Sequence, residues 1–432
     1  MGRFVGADFL LSASPLQSLW GDRDFRHLWA AIVVSTYGTM LRGSAMIYAA
    51  IFVLHASPTA VGALRLAELI PGFVIGLLAG VWVDRARRRP LMMLADIVRA
   101  VALATIPLAA WLGVLSFAHL VLVAAVVSGL GVLFDVAYQA FLPSLVPNRQ
   151  LVEANSKISA GASVTEALSF SSGGWLVQLV SAPFTLAIDA LTFVASALFL
   201  GRVRDVEPPL EAGSPESTQT ILHEVRAGIE AVLRQPYLRA ITLAALLLNA
   251  GYGIFGVGMI YYLNQIVGFE PGALGLIFAV GGVSSFVGAM LAQRLSAARI
   301  GAVMVAAMLL TVVGQAFIPL AANVGLLAVA LLVGQQLVTD AALTIYDINQ
   351  VSLRQAITPD HLLGRVNACL RVTEFGGVLA GTLLATLVGG AIGLRATLWI
   401  AVSLTLLAAV ALLASPLRNL RHIPAPLEVS PS

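Results

Sequence analysis

The chain has 432 residues and only 11% of them are charged, against about 25% in a typical soluble domain. Residues of the apolar and aromatic types make up 59% and the mean hydropathy is +0.92. So few charges cannot cover that much apolar surface in water, which excludes an ordinary soluble enzyme.

Residues 1–27 form an N-terminal segment. Met1 to Gly21 lacks the charged start, apolar run and small-residue cleavage site of a secretory leader, so it is expected to stay in the cytosol. A helix needs about 20 apolar residues to cross a bilayer. Twelve such runs follow, at 28–54, 60–83, 91–113, 117–141, 158–180, 183–201, 239–264, 271–294, 301–320, 325–347, 367–391 and 395–415. Turn residues such as Ser57-Pro58 and Glu270-Pro271-Gly272 separate neighbouring runs and let them pack antiparallel. Barrel strands would alternate apolar and polar residues instead, so the expected fold is an all-α membrane protein with 12 transmembrane helices.

The polar stretch 202–238 carries Pro208-Pro209 and Ser214-Pro215, then an amphipathic run through Ile221, Val225, Ile229 and Val232. It reads as a cytosolic linker with a surface helix between two six-helix bundles, 28–201 and 239–415, and a cytosolic tail at 416–432. The bundles have nearly equal lengths, as duplication requires. Adding 212 carries Ser128, Asp135, Pro147, Leu151 and Asn155 onto Asp340, Asp347, Pro359, Leu363 and Asn367. A fixed offset is the signature of an internal repeat, and both copies run in the same direction through the membrane, as in transporters with parallel six-helix repeats.

Orientation follows from the basic residues. With both termini cytosolic, the loop arginines and Lys157 lie inside or at the inner edge, and only Arg395 lies outside. This scatter over many loops, in a chain of net charge +3 and pI near 9.2, is not the basic stripe of a nucleic-acid binder.

Enzyme motifs are missing. Lys157 is the sole lysine and follows no glycine, so a P-loop cannot be written. Cys369 is the single cysteine and the six histidines have no ligand spacing, so no metal or cofactor is expected. No GxSxG elbow occurs.

Between runs two and three stands Gly80-Val81-Trp82-Val83-Asp84-Arg85-Ala86-Arg87-Arg88-Arg89. It resembles the loop signature of the major facilitator superfamily, G-x-x-x-D-R/K-x-G-x-R/K-R/K, with Arg87 in place of the second glycine. Further stretches resemble the macrolide, multidrug and siderophore exporter branch: Phe141-Leu142-Pro143-Ser144-Leu145-Val146-Pro147 leading to Glu153-Ala154-Asn155, Ile188-Asp189-Ala190-Leu191-Thr192-Phe193, and Leu363-Gly364-Arg365-Val366-Asn367. The resemblance implies the major facilitator fold, in which two bundles rock about a central site, and a cytosolic latch at Gly80, Asp84, Arg85, Arg88 and Arg89. The competing reading of these arginines is as membrane anchors. Two departures stand against the family pattern: Ala125 replaces the arginine of an RxxxG motif ending at Gly129, and Ser169-Phe170-Ser171-Ser172 precedes Gly173-Gly174 where antiporters carry a Gly-Pro kink. Proton antiport is therefore implied by kinship alone.

Ionisable residues inside a membrane cost about 2.5–3.5 kcal/mol each on insertion scales, so each needs a reason. Arg65 with Glu68, Asp96 with Arg99, and Arg371 with Glu374 are i,i+3 neighbours that can pair on one helix. Ser128, Asp135 and Gln139 make a polar stripe on run four, and Asp340, Thr344 and Asp347 make one on run ten. Asp135, Asp347, Arg371 and Glu374 are gate or cavity candidates. Glu166 stands about ten residues into run five with no local partner, roughly 15 Å deep. Glu166, with Asp340, is the candidate for the driving proton, and Arg42 is expected to balance one of them or to meet an anionic substrate group. Tyr37, Tyr48, Asn249, Tyr252 and Thr344 are substrate-cavity candidates, though a tyrosine or glycine on a membrane helix also serves plain packing. Gly72, Gly76 and Gly80 have the spacing of close helix packing.

The expected function is secondary active export of a hydrophobic or amphipathic small molecule, driven by protons, by a monomer in the cell (inner) membrane surrounded by lipid. A lipid or lysolipid flippase of the same fold and a non-transporting membrane sensor are the alternatives.

Overall fold

The computed structural model describes residues 19–84, 86–147, 150–204, 228–296 and 299–421. Its long helices are α1 (Arg23–Tyr48), α2 (Pro58–Asp84), α3 (Arg88–Trp111), α4 (Phe117–Leu145), α5 (Leu151–Val180), α6 (Ala182–Gly201), α7 (Pro236–Tyr261), α8 (Pro271–Ser296), α9 (Ile300–Leu320), α10 (Leu326–Ile357), α11 (Asp360–Ile392) and α12 (Leu394–Ala414). No strand occurs among the described residues. Each apolar run becomes one helix, and local chemistry marks the starts. Asp22 accepts hydrogen bonds from the amides of Asp24 and Phe25 at 2.8 and 3.1 Å to begin α1, and Gln235 caps α7 ahead of Pro236.

Among the described residues, ten of the long helices carry segments long and apolar enough to cross a membrane. The other two are α1 and α5. Both are rich in Ser, Thr and charged residues, and both line the interior cavities described below. Helices overrun the expected spans at one end: α5 begins at Leu151, α10 continues to Ile357 and α11 begins at Asp360. Hydropathy registers only the apolar part of a helix, whereas backbone hydrogen bonding carries it on through polar residues. Of the amphipathic run after the linker, only 228–234 is described; it is helical, with Val232 buried and Ile229 exposed. Ile221 and Val225 lie outside the described residues.

α1 to α6 pack on one another, as do α7 to α12. Each set of six holds two apolar clusters, one toward each end of the helices. In the first set Phe25, Leu28, Phe134 and Phe141 fill the end where α1 begins, called end I here, while Met46, Leu103, Leu120 and Phe193 fill the opposite end II. In the second set Ile241, Met304, Leu353 and Leu412 lie toward end I and Ile254, Leu274, Leu332 and Leu398 toward end II. Polar and charged side chains occupy the level between. Large apolar residues such as Leu179, Leu326 and Leu387 point outward and are exposed, the surface of a lipid-embedded protein.

The two sets of six helices share backbone features. α1 and α7 both end in a π-helical turn, Ala49–Val53 and Tyr262–Val267, and Pro147 and Pro359 both stand just before the next helix, α5 and α11. Gly72 of α2 faces Ser128 of α4, and Gly281 of α8 faces Asp340 of α10; Ser128 and Asp340 are the pair that the offset of 212 relates. Gly76 likewise packs on Val132, as the glycine spacing predicts, and the packing at Gly80 lies outside what is described of α2.

The two sets meet along α5 with α8 and α2 with α11, with a smaller contact between α2 and α7. The seam is tightest at end II. A Cβ on Gly174 would strike the Pro271 carbonyl, and one on Gly62 would strike Thr386. Gln178 donates to Glu270 at 2.7 Å across the same end. Nearer mid-depth, Phe73 and Phe375 stack at 4.6 Å with ring planes 8° apart, a favoured aromatic arrangement.

Candidate functional site: the cavity between the two six-helix sets

Below that seam opens a cavity of about 1120 Å³, large for a small-molecule site. α1, α2 and α5 contribute to it from one set and α7, α8, α9 and α10 from the other. Two carboxylates reach it from opposite sides. Glu166 stands midway along α5, deeper in its helix than expected because α5 begins seven residues before the apolar run, and it is exposed to the cavity. Asp340 of α10 is partly buried over Gly281. The two are near enough for their charges to repel. Neither has an ion-pair partner among the described residues.

Tyr48 and Tyr252 line this cavity, and Tyr48 stacks on Phe52 with centroids 5.6 Å apart. The other expected cavity residues lie elsewhere. The Tyr37 hydroxyl pairs with Ser172 at 2.8 Å and joins α1 to α5. Asn249 donates to the Ala245 carbonyl on its own helix and packs against Gly377 of α11. Thr344 donates to the backbone carbonyl of Asp340 at 2.8 Å. The sequence reading missed Arg65, Phe255, Met259, Gln335, Gln336 and Thr339, all of which line the cavity. Gln335 and Gln336 extend the stripe that begins at Asp340 one turn earlier, a signal present in the sequence.

A smaller cavity of about 380 Å³ lies inside the first set, lined by Ser35, Thr39, Arg42, Arg99, Ser128 and Asp135 among others. Here the expectation for Arg42 is corrected. Its guanidinium Nε lies 3.6 Å from Asp189 Oδ2 on α6, which is fully buried, so Arg42 balances neither Glu166 nor Asp340. The cause is local: α1 and α6 cross closely at Gly38, where any side chain would strike Asp189 and Thr192. Thr192 donates to Asp189 at 3.3 Å. Arg99 forms an ion pair with Asp96 and lies over the rings of Phe193 at 4.1 Å and Phe134 at 4.8 Å, satisfying charge and face together. Arg65 and Glu68 pair at 2.8 Å, and Arg65 also donates to the Gly256 carbonyl of α7 at 3.3 Å.

Arg371 and Glu374 make no ion pair; Arg354 acts more strongly on Glu374. Asp347 is exposed, with Glu374 as the charge acting on it. At the latch, the side chains of Asp84 and Arg85 lie outside the described residues. Arg88 is partly buried. Arg89 donates to the Leu200 and Gly201 carbonyls at 2.9 and 2.7 Å, binding the C-terminus of α6, where the helix dipole favours a cation.

Known proteins of like sequence and shape are transporters. The chain is 28% identical over 313 residues, 72% of its length and 75% of the relative's, to the uncharacterized MFS-type transporter y4rN of Sinorhizobium fredii. It is 26% identical over 371 residues, 82% and 87% of the two lengths, to the multidrug efflux pump Tap of Mycolicibacterium fortuitum. Among solved structures, the nucleoside transporter NupG superposes with a TM-score of 0.70 at 16% identity, covering 90% of this chain and 98% of that one. A bacterial homologue of the iron transporter ferroportin, in its inward-facing state, gives 0.69 at 18% identity, covering 92% and 99%. At such identities the likeness is one of fold. The Major Facilitator Superfamily model matches residues 28–348, and the chain belongs to that family.

Proposed function

We propose that the protein is a twelve-span secondary transporter that exports a hydrophobic or amphipathic small molecule across the cell membrane by alternating access, coupled to protons. The observation that carries this reading is the central cavity, sealed at end II by α5 with α8 and α2 with α11 and holding one unpaired carboxylate from each six-helix set. The basic loops gather at end I, which supports reading that end as cytosolic; closure at end II then corresponds to an inward-facing conformation. Glu166 and Asp340 take up and release the driving proton, since each faces the cavity with no fixed counter-charge. The buried pair Arg42 with Asp189 ties α1 to α6, and Arg99, paired with Asp96 on α3, reaches the rings of Phe134 on α4 and Phe193 on α6. Likeness to a multidrug pump supports the direction of transport.

Proteoliposomes with an imposed pH gradient test it. Amphipathic dyes should move against the proton gradient, and E166Q should lose that dependence. Equal flux with and without the gradient would refute proton coupling, and no flux in either case would refute transport.

A further inference from the structure

The two seams between the sets are filled differently along their length. At end II, Gly62 meets Thr386 across the α2–α11 seam and Gly174 meets Pro271 across the α5–α8 seam. About three turns nearer end I, roughly 16 Å along the helices, the rings of Phe73 and Phe375 stack across the first seam. The corresponding positions on the second seam are Ser163 and Gly282. Both are exposed and both line the central cavity. Small residues often mark close helix packing, but a side chain added at Gly282 would meet no described atom within 4 Å. At one level, then, two aromatic rings fill one seam, while the other has only a hydroxymethyl group and a hydrogen atom. The bilayer core is about 30 Å thick, so this level lies in the half of the membrane nearer end I.

The cavity wall is also open at that edge. Tyr48 and Phe255, on the wall from α1 and α7, are 2% and 6% exposed, whereas Val283 and Phe286 of α8, which line the same cavity, are 67% and 68% exposed. Val164, beside Ser163, is exposed as well. The rim of the gap is thus apolar, and Ser163, Glu166 and Ser285 offer polar groups next to it. An amphipath could place its polar end on these groups while its apolar body stays among lipid chains, without carrying that body through water.

We infer that the central cavity has a side portal between α5 and α8, at Ser163 and Gly282, and takes its solute through it from the membrane. The solute is an amphipath dissolved in the bilayer. This rests on the reading of the cavity as a transport site and adds to it the route of entry.

The portal is tested first without any solute. With Cys369→Ala as background, a nitroxide on Ser163→Cys is studied in nanodiscs by its collisions with oxygen, which concentrates among lipid chains, and with a nickel chelate, which stays in water. Oxygen should reach the label. Gly282→Trp fills the gap and should cut the oxygen collisions at least twofold. Gly376→Trp is the control: it too meets no described atom within 4 Å, but it stands beside the closed Phe73–Phe375 pair and should change nothing. Both rings enter open space, and size-exclusion profiles confirm folding. A label reached by the nickel chelate alone, or reached equally by oxygen in Gly282→Trp, overturns the portal. The route is tested with membrane-dissolved rhodamine 6G. Its association rate should follow the dye-to-lipid ratio and fall at least fivefold in Gly282→Trp with the affinity unchanged, because a narrowed passage slows entry and exit alike. Equal rates in the two proteins overturn the route, and so does transfer of a labelled lipid in place of the dye. Oxygen contact at Ser163 with no dye flux sinks the transport reading alone, whereas dye flux with no oxygen contact sinks the inference alone.

Discussion

The ion pair between Arg42 and Asp189 sets the most quantitative test of the packing. Asp189 is fully buried and Arg42 is 14% exposed, with 3.6 Å between the charged atoms. Removing one member of a buried pair costs about 3–5 kcal/mol because the other charge is left alone in a poor solvent. Arg42 opens onto the smaller cavity, where water can soften the loss, so Arg42→Gln should fall at the low end, near 3 kcal/mol. Asp189→Asn leaves a cation near Arg99 and should cost about as much. Replacing both removes the imbalance along with the pair, so the double variant should lose much less than the two singles together, with a coupling of about 2 kcal/mol. The assay is unfolding in mixed micelles, followed by the fluorescence of the six tryptophans and arranged as a double-mutant cycle. Additive losses would show that the two residues do not interact and would refute the account of the α1–α6 contact.

Other outcomes follow from the seam and the helix ends. Gly174→Leu places a side chain against the Pro271 carbonyl and should force end II apart, raising the labelling rate of a cysteine placed at Gln178; an unchanged rate would mean that end II is not closed there. Arg89→Gln removes the cation at the end of α6 and should cost about 0.3–1 kcal/mol in the same unfolding assay, with dye binding unaltered.

The twelve runs were legible because a membrane helix must satisfy its backbone internally and present apolar side chains to lipid. Hydropathy thus locates each helix, but it fails where polar extensions leave the apolar layer, as at Leu151–Ser156 and at Ile348–Ile357. Pairing was legible only at short range. Arg65 with Glu68, and Asp96 with Arg99, follow from helical spacing. Arg42 with Asp189 does not, because α1 and α6 are distant in sequence and several acids were eligible. The clues were present: Asp189 is an acid in an apolar run, and Gly38 stands one turn before Arg42, which lets α6 approach at that level. The polar faces of α4 and α10 were readable as interior. Which tyrosines reach the large cavity was not, since Tyr37 and Tyr48 share a helix face and only the packing of Ser172 against the first separates them.

Alternating access is the central claim, and paired spin-label distances test it most directly. With Cys369→Ala as background, one pair at Val114 and Val324 spans end II and another at Arg202 and Leu295 spans end I; all four are exposed. Adding transported dye or changing pH should lengthen the end II distance while shortening the end I distance, because two rigid sets rocking about one cavity cannot open both ends at once. Both distances unchanged, or both lengthening together, would contradict the account.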